Sequence, residues 1–241
     1  MLPLLQRQFD TLAPDLPGFG HSAPLPDGLT PTAEALADAV EREMDAAGFQ
    51  TAHLAGNSLG GWISLELARR GRARTVTAIS PSGLALPREM AWGRAVLLSM
   101  RWAARSAPAP ESLLRNPVGR TLLAGPALGK PWKADPGDMV EQAELYANAP
   151  GMLPTFDAVQ GRQPLGLREL ECPVLLLWGT KDVILLPRQG RRFQRLIPGS
   201  ELRYLKGLGH TPMSDDPEGF AQAISMFALR RRSSPRAAAP A

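Results

Sequence analysis

Apolar and polar positions follow two different periods along this chain, and the periods take turns. Thr32 to Ala47 places Ala35, Leu36, Ala39, Val40 and Met44 on one face at helical spacing. Pro31 stands at its start and Gly48 at its stop, which predicts an amphipathic helix. Leu59 to Arg70, closed by Gly71, predicts a second, and Pro187 to Ile197 and Pro217 to Leu229 predict two more. Between them lie short runs that read as strands: Thr51 to Ala55, Thr75 to Ser80, Pro173 to Trp178 and Glu201 to Leu205. The unbroken Val-Leu-Leu-Leu-Trp of the third is what a strand covered on both faces requires, so it belongs near the middle of a sheet. Leu2 to Gln8 predicts a helix, and Thr11 to Leu16 a short strand that runs into the turn Leu16-Pro17-Gly18-Phe19-Gly20. Strands alternating with helices imply an α/β fold, a mostly parallel sheet flanked by helices.

The stretch from Leu84 to about Arg168 departs from this alternation. Met90 to Ala104 and Asp138 to Ala149 have helical spacing, while Pro108, Pro110, Pro117, Pro126, Pro131 and Pro136 interrupt the middle, and no strand is evident. The expected organisation is a core of residues 1–83 and 169–230, a helical cap of residues 84–168 inserted into it, and a disordered basic tail of residues 231–241. There is no internal repeat.

Composition narrows the partners. A chain of 241 residues and 25.9 kDa suits one domain with an insertion. The formal charge of +4 resides at the C-terminal end: without Arg230, Arg231, Arg232 and Arg236, the 27 Lys+Arg fall to 23, equal to the 23 Asp+Glu. A neutral body with a short basic tail does not describe a nucleic-acid-binding protein. The single cysteine, Cys172, forms no internal disulfide and reads as a buried structural thiol. No apolar run approaches the roughly 20 residues of a membrane span, and no signal peptide is evident. The expected location is the cytoplasm, without stable membrane insertion; the oligomeric state is not encoded legibly.

Candidate chemistry centres on Gly56-Asn57-Ser58-Leu59-Gly60-Gly61, which fits G-x-S-x-G between a predicted strand and a predicted helix. A serine on such a tight turn requires small residues two positions before and after it, here Gly56 and Gly60, so that strand and helix can approach. The same turn directs the Leu59 N–H, at the positive end of the helix, toward a developing oxyanion. A serine hydroxyl is a weak nucleophile and requires a base. His53 lies within a predicted strand and reads as structural; His21 follows the first turn, where it could line a site mouth. His210, in Lys206-Gly207-Leu208-Gly209-His210-Thr211-Pro212, follows the last strand at the carboxyl edge of the sheet, where such folds place reactive groups. The orienting acid is expected in another loop of that edge, and Asp182 follows the most apolar strand in Trp178-Gly179-Thr180-Lys181-Asp182. Asp15 belongs to a structural turn, and Asp215 and Asp216 read as first-turn residues favouring the start of the last helix.

With these residues in place the sequence resembles the α/β-hydrolase family over nearly its whole length. Asp15-Leu16-Pro17-Gly18-Phe19-Gly20, the Gly56 to Gly61 elbow, Trp178 to Asp182 and Gly209-His210 occur in the family's order. The resemblance implies Ser58 as nucleophile, His210 as base, Asp182 as orienting acid and Leu59 as an oxyanion donor. Haloalkane dehalogenases and epoxide hydrolases of the family carry Asp at the elbow, so Ser58 argues against both; Thr211 argues against C–C hydrolases, which often carry Trp there. Members normally begin with further strands and a His-Gly loop that supplies a second oxyanion donor. This chain begins inside the following helix, which implies an N-terminally truncated form of the fold. Loss of a mid-sheet strand leaves backbone groups unpaired, and loss of one oxyanion donor lowers kcat by about 10²–10³.

The function so implied is hydrolysis of an ester or other activated carbonyl through an acyl-enzyme, with no metal or organic cofactor. The partner is a small, apolar substrate in a cap pocket for which Trp92, Trp102 and Trp132 are candidate wall residues. C–C bond hydrolysis or cofactor-free perhydrolysis by the same triad, or ligand binding without catalysis, are the alternatives.

Overall fold

The computed structural model describes residues 1–106 and 110–232. Its centre is a sheet of β1 (Ala52–Asn57), β2 (Ala73–Ile79), β3 (Val174–Gly179) and β4 (Glu201–Leu205), hydrogen-bonded in that order with every neighbouring pair parallel. Parallel neighbours need crossovers, and helices supply them: α3 (Leu59–Arg69) joins β1 to β2, and α9 (Arg188–Leu196) joins β3 to β4. The sheet is thus the α/β arrangement expected from the alternating periods.

β3 shows why its sequence is unbroken. All six of its residues are buried. Val174, Leu176 and Trp178 pack with Val76, Ala78, Leu65 of α3 and Phe193 of α9 on one face. Leu175 and Leu177 point to the other, against Ile79 and against Phe220, Ile224 and Phe227 of α11 (Pro217–Arg232). Each fully buried Leu contributes about 1.5–3 kcal/mol, so this strand anchors both layers. On the β1 side, α2 (Ala33–Ala46) begins at Thr32, whose Oγ1 accepts from the Ala35 N–H at 3.2 Å, and packs Leu36, Ala37 and Met44 onto Ile63 and Leu67 of α3.

Three expectations are corrected. Thr11 to Leu16 is not a strand: it forms no ladder, and its first backbone hydrogen bond is at the turn, where Leu16 C=O accepts from Phe19 N–H at 2.8 Å. Strand-like composition needs a partner, and β1 pairs only with β2 among the described residues, so β1 is an edge strand and the 11–16 segment is held by side chains such as Leu16. The N-terminal helix is shorter than expected, α1 being Leu2–Leu5. At the other end α11 continues to Arg232, so Arg231 and Arg232 are helical; residues 233–241 of the expected tail lie outside the described residues.

Between β2 and β3 the described residues contain helices and no strand: α4 (Pro87–Ser106), α5 (Pro110–Arg115), α6 (Pro117–Ala124), α7 (Pro136–Asn148) and α8 (Met152–Val159), with short 3₁₀ turns at Pro131–Lys133 and Leu167–Glu169. Pro110, Pro117, Pro131 and Pro136 start helical segments rather than break them, and Pro117 and Pro136 each follow a capping side chain, Asn116 and Asp135; Pro126 lies in a turn and Pro108 outside the described residues. Four-residue α10 (Pro212–Asp215) precedes α11. No described helix is long and apolar enough to cross a membrane.

Candidate active site

Ser58 occupies the junction of β1 and α3 with φ 55° and ψ −114°. Positive φ is costly for a residue with a Cβ, and the strain is sustained because the junction is over-determined: Ser58 N–H donates to Ile79 C=O at 2.8 Å, and Ser58 C=O accepts from Gly61, Trp62 and Ser82 N–H. The turn brings strand and helix so close that a Cβ on Gly56 would stand 2.1 Å from Gly60 C=O. Gly60 itself is not sterically required, since a Cβ there would meet nothing within 4 Å; the second tight position is Gly61, against Pro81 at 2.9 Å. Small size is therefore demanded at Gly56 and Gly61 rather than at Gly56 and Gly60. The Leu59 N–H, in the first turn of α3, has no backbone acceptor among the described residues.

His210 follows β4 in a buried loop. Its Nδ1 lies 2.8 Å from Asp182 Oδ2, with His210 5% and Asp182 2% exposed. Asp182 Oδ1 accepts from the Ile184 and Leu185 N–H groups at 2.9 and 2.8 Å, so the loop after β3 orients the carboxylate from behind. With Nδ1–H donating to the carboxylate, Nε2 is the basic nitrogen. The His210 loop is tied to the Ser58 turn by Asn57, whose Nδ2 donates to His210 C=O at 2.9 Å and to Ile79 C=O at 3.2 Å. No hydrogen bond joins Ser58 Oγ to His210 in this structure.

Ser58 opens onto a cavity of about 380 Å³ whose wall is overwhelmingly apolar and includes Phe19, Leu59, Trp62, Ile184, Met90 of α4 and Phe156 of α8. The Tyr146 hydroxyl on that wall donates to Leu97 C=O at 2.8 Å, and burial pushes its pKa above the ordinary value, so it stays a neutral phenol. Glu89 also faces the cavity but belongs to α4's attachment. Arg192 and Arg188 of α9 both donate to it, and these contacts, Arg192 foremost, hold its pKa at about 2.

Residues 1–223 match the model of the alpha/beta hydrolase family. This chain belongs to that family. The α/β hydrolase is 33% identical over 207 residues to "Epoxide hydrolase EphH" of Mycobacterium tuberculosis, an alignment that spans 80% of this chain and 92% of that one. It is 28% identical over 255 residues to a pimeloyl-[acyl-carrier protein] methyl ester esterase of Neisseria meningitidis, across 94% and 86% of the two chains. Among solved structures, a hydrolase from Pseudomonas aeruginosa shares its fold with a TM-score of 0.70 at 23% identity, covering 97% of this chain and 83% of the other. A thermophilic esterase from Thermogutta terrifontis does so with a TM-score of 0.68 at 24% identity, covering 91% and 79%.

The remaining candidates of this α/β hydrolase separate clearly. His21 is exposed and off the cavity wall, with its N–H on Asp15 Oδ2; Asp15 also holds Ser22 through its carbonyl, a purely structural turn. His53 Nδ1 is 2.9 Å from Thr75 Oγ1 within the sheet, and Phe9 meets its ring edge-on. Cys172 is half-buried against the core, and burial raises its thiol pKa. Trp92, Trp102 and Trp132 do not line the cavity: they are 54%, 72% and 48% exposed, and Trp62 of α3 is the tryptophan at the serine. Asp216 caps the last helix, accepting from Gly219 N–H at 3.1 Å. Asp215 does something else. It is 8% exposed and accepts from the Gly129, Lys130 and Gly209 N–H groups at 2.7–2.8 Å, joining the His210 loop to the 127–130 segment that follows α6. The signal that could have marked it is its neighbourhood, a carboxylate a few residues after a glycine-rich loop that lies outside any strand or helix.

Proposed function

We propose that the protein is a serine hydrolase of esters or comparably activated carbonyls. The observation that carries this reading is one ensemble: Ser58, held at positive φ on the wall of an apolar cavity, beside a loop in which Asp182 polarises His210. Ser58 Oγ attacks the carbonyl carbon, His210 Nε2 takes its proton and passes it to the leaving alcohol, and the Leu59 N–H stabilises the oxyanion. Closure of the Ser58–His210 hydrogen bond belongs to the substrate-bound state, because apo distances in such sites are often long. Water then releases the acyl group by the reverse proton path. A small, apolar acyl or alcohol portion suits the cavity wall.

The relative named an epoxide hydrolase supplies a second reading, and Ser58 weighs against it chemically. A carboxylate that opens an epoxide leaves an ester, which water can cleave at its carbonyl. A serine oxygen would leave an alkyl ether, with no carbonyl to attack. Intact-protein mass spectrometry after treatment with a fluorophosphonate tests the proposal. One adduct on the wild type and none on Ser58→Ala is the expected result, accompanied by turnover of 4-nitrophenyl hexanoate. Absence of both label and turnover would overturn it, and conversion of styrene oxide by the Ser58→Ala variant would favour an epoxide-opening site elsewhere.

A further inference from the structure

The loops that carry Asp182 and His210 belong to no strand or helix, so contacts outside them fix where the imidazole stands. Ser58 is placed by the sheet, through its N–H on Ile79 C=O at the end of β2. On the His210 side, beyond the tie to Asn57, the contacts lead to residues 127–130, which lie between α6 and α7. Both chain neighbours of His210 are held there. Thr211 N–H and Thr211 Oγ1 donate to Ala127 C=O at 3.1 and 3.3 Å. Gly209 N–H shares the Asp215 carboxylate with the Gly129 and Lys130 N–H groups.

The fit is backbone against backbone. A Cβ on Gly129 would stand 2.1 Å from Gly207 C=O and 2.8 Å from Gly209 N, and one on Gly209 would stand 2.5 Å from Ala127 C=O. Neither glycine can gain a methyl group without parting the two segments. The Asp182 loop joins the same place: Lys181 N–H donates to Leu208 C=O at 2.9 Å, and Lys181 Nζ donates to Gly129 C=O at 3.2 Å. On its far side the 127–130 segment is anchored among the helices between β2 and β3. The Ala127 and Leu128 N–H groups donate to Ala124 C=O at the end of α6, and buried Leu128 packs with Leu114 of α5 and Met139 of α7. Arg120 of α6 completes the anchorage, its buried guanidinium donating to the carbonyls of Leu114, Arg115, Pro131 and Trp132.

We infer that Thr211 is a positioning residue for the base and that segment 127–130 is the seat on which it acts: the sheet places the nucleophile, and helices outside the sheet place the imidazole. This inference rests on the reading of Ser58 as nucleophile and His210 as base. The Thr211 hydroxyl on Ala127 C=O fixes the residue next to His210 in the chain, which holds Nε2 in its distance and angle to Ser58 Oγ. Misplacing a catalytic group by about 1 Å costs up to about 100-fold in rate.

Thr211→Val keeps the shape and the backbone bond but removes the hydroxyl, Thr211→Ser restores a hydroxyl, and Gly129→Ala parts the two segments. Each is compared with wild type by kcat and KM for 4-nitrophenyl hexanoate and by the rate constant of fluorophosphonate labelling, counted per chain that labels to completion, so that unfolded chains drop out. Thr211→Val should lower kcat and the labelling rate constant together by about 3- to 10-fold, with KM within about twofold of wild type. Thr211→Ser should recover most of that loss, and Gly129→Ala should lose about 10- to 100-fold. An unchanged kcat and labelling rate in Thr211→Val, no recovery in Thr211→Ser, or a loss confined to KM would overturn the inference, and the two Thr211 variants decide it if Gly129→Ala does not fold. Wild type that neither labels nor turns over the ester would overturn the esterase reading separately. The downfield proton resonance of His210 Nδ1–H then reports the seat: exchange with water faster in Thr211→Val than in wild type and Thr211→Ser supports it, and equal exchange in all three refutes it.

Discussion

The Asp182 carboxylate divides its two oxygens, Oδ2 toward His210 Nδ1 and Oδ1 toward the Ile184 and Leu185 N–H groups. Asp182→Asn preserves the second function and reverses the first, because an amide N–H then faces the histidine and forces the proton to Nε2, where it cannot accept from Ser58. Steady-state kinetics should show kcat lowered by a factor on the order of 10³–10⁴, with the thermal midpoint little changed. Asp215 makes the opposite prediction. Its carboxylate serves three backbone donors that come from two parts of the chain far apart in sequence. Asp215→Ala should destabilise by about 3 kcal/mol or more by urea unfolding and lower kcat as well, since the His210 loop loses its brace; Asp215→Asn, which keeps one acceptor oxygen, should lie between.

At the scale of elements, α4 is fastened to the core along its first turns. Trp92 Nε1 donates to Val183 C=O at 2.7 Å, and a Cβ on Gly93 would stand 2.8 Å from Ile184 C=O, so the helix lies directly against the loop that holds Asp182. Gly93→Ala should therefore lower kcat/KM as well as stability, despite being a favourable change in an isolated helix. Glu89 is the ionic part of the same attachment. Its pKa of about 2 lies below the ordinary 4.5, because Arg192 and Arg188 favour the charged form. A depressed carboxyl pKa contributes stability that is complete above pH 4.5 and is lost as pH falls from 4.5 toward 2. Urea unfolding should show Glu89→Gln less stable than wild type by about 1–3 kcal/mol at pH 7, with the gap closing over that interval. A gap independent of pH would mean that packing, and not charge, holds α4.

On the scale of the whole molecule, the sheet has two interior strands, β2 and β3, and two edges, β1 and β4, among the described residues. Native-state hydrogen exchange should find the amides of β2 and β3 slowest, β1 intermediate, and Thr11 to Leu16 fast, in keeping with a segment that has no ladder. That segment also marks the boundary of what sequence can say. Periodicity and local turn signals determined that four strands alternate with helices, that β3 lies inside, and that Ser58, Asp182 and His210 each follow a strand of a parallel sheet; all of these are properties of short stretches, decided by backbone propensity and by which faces are apolar. Pairing is not such a property. Thr11 to Leu16 has strand composition, yet whether it is a strand depends on a neighbour supplied from elsewhere. The same holds for Asp215, whose donors are up to 86 residues away, and for the three tryptophans that are exposed while Trp62 lines the cavity. Sequence alone determined the four strands of the sheet, the helices between and after them and the residue types of the candidate site; tertiary structure alone decided partners, because hydrogen bonds and burial depend on distance in space rather than along the chain.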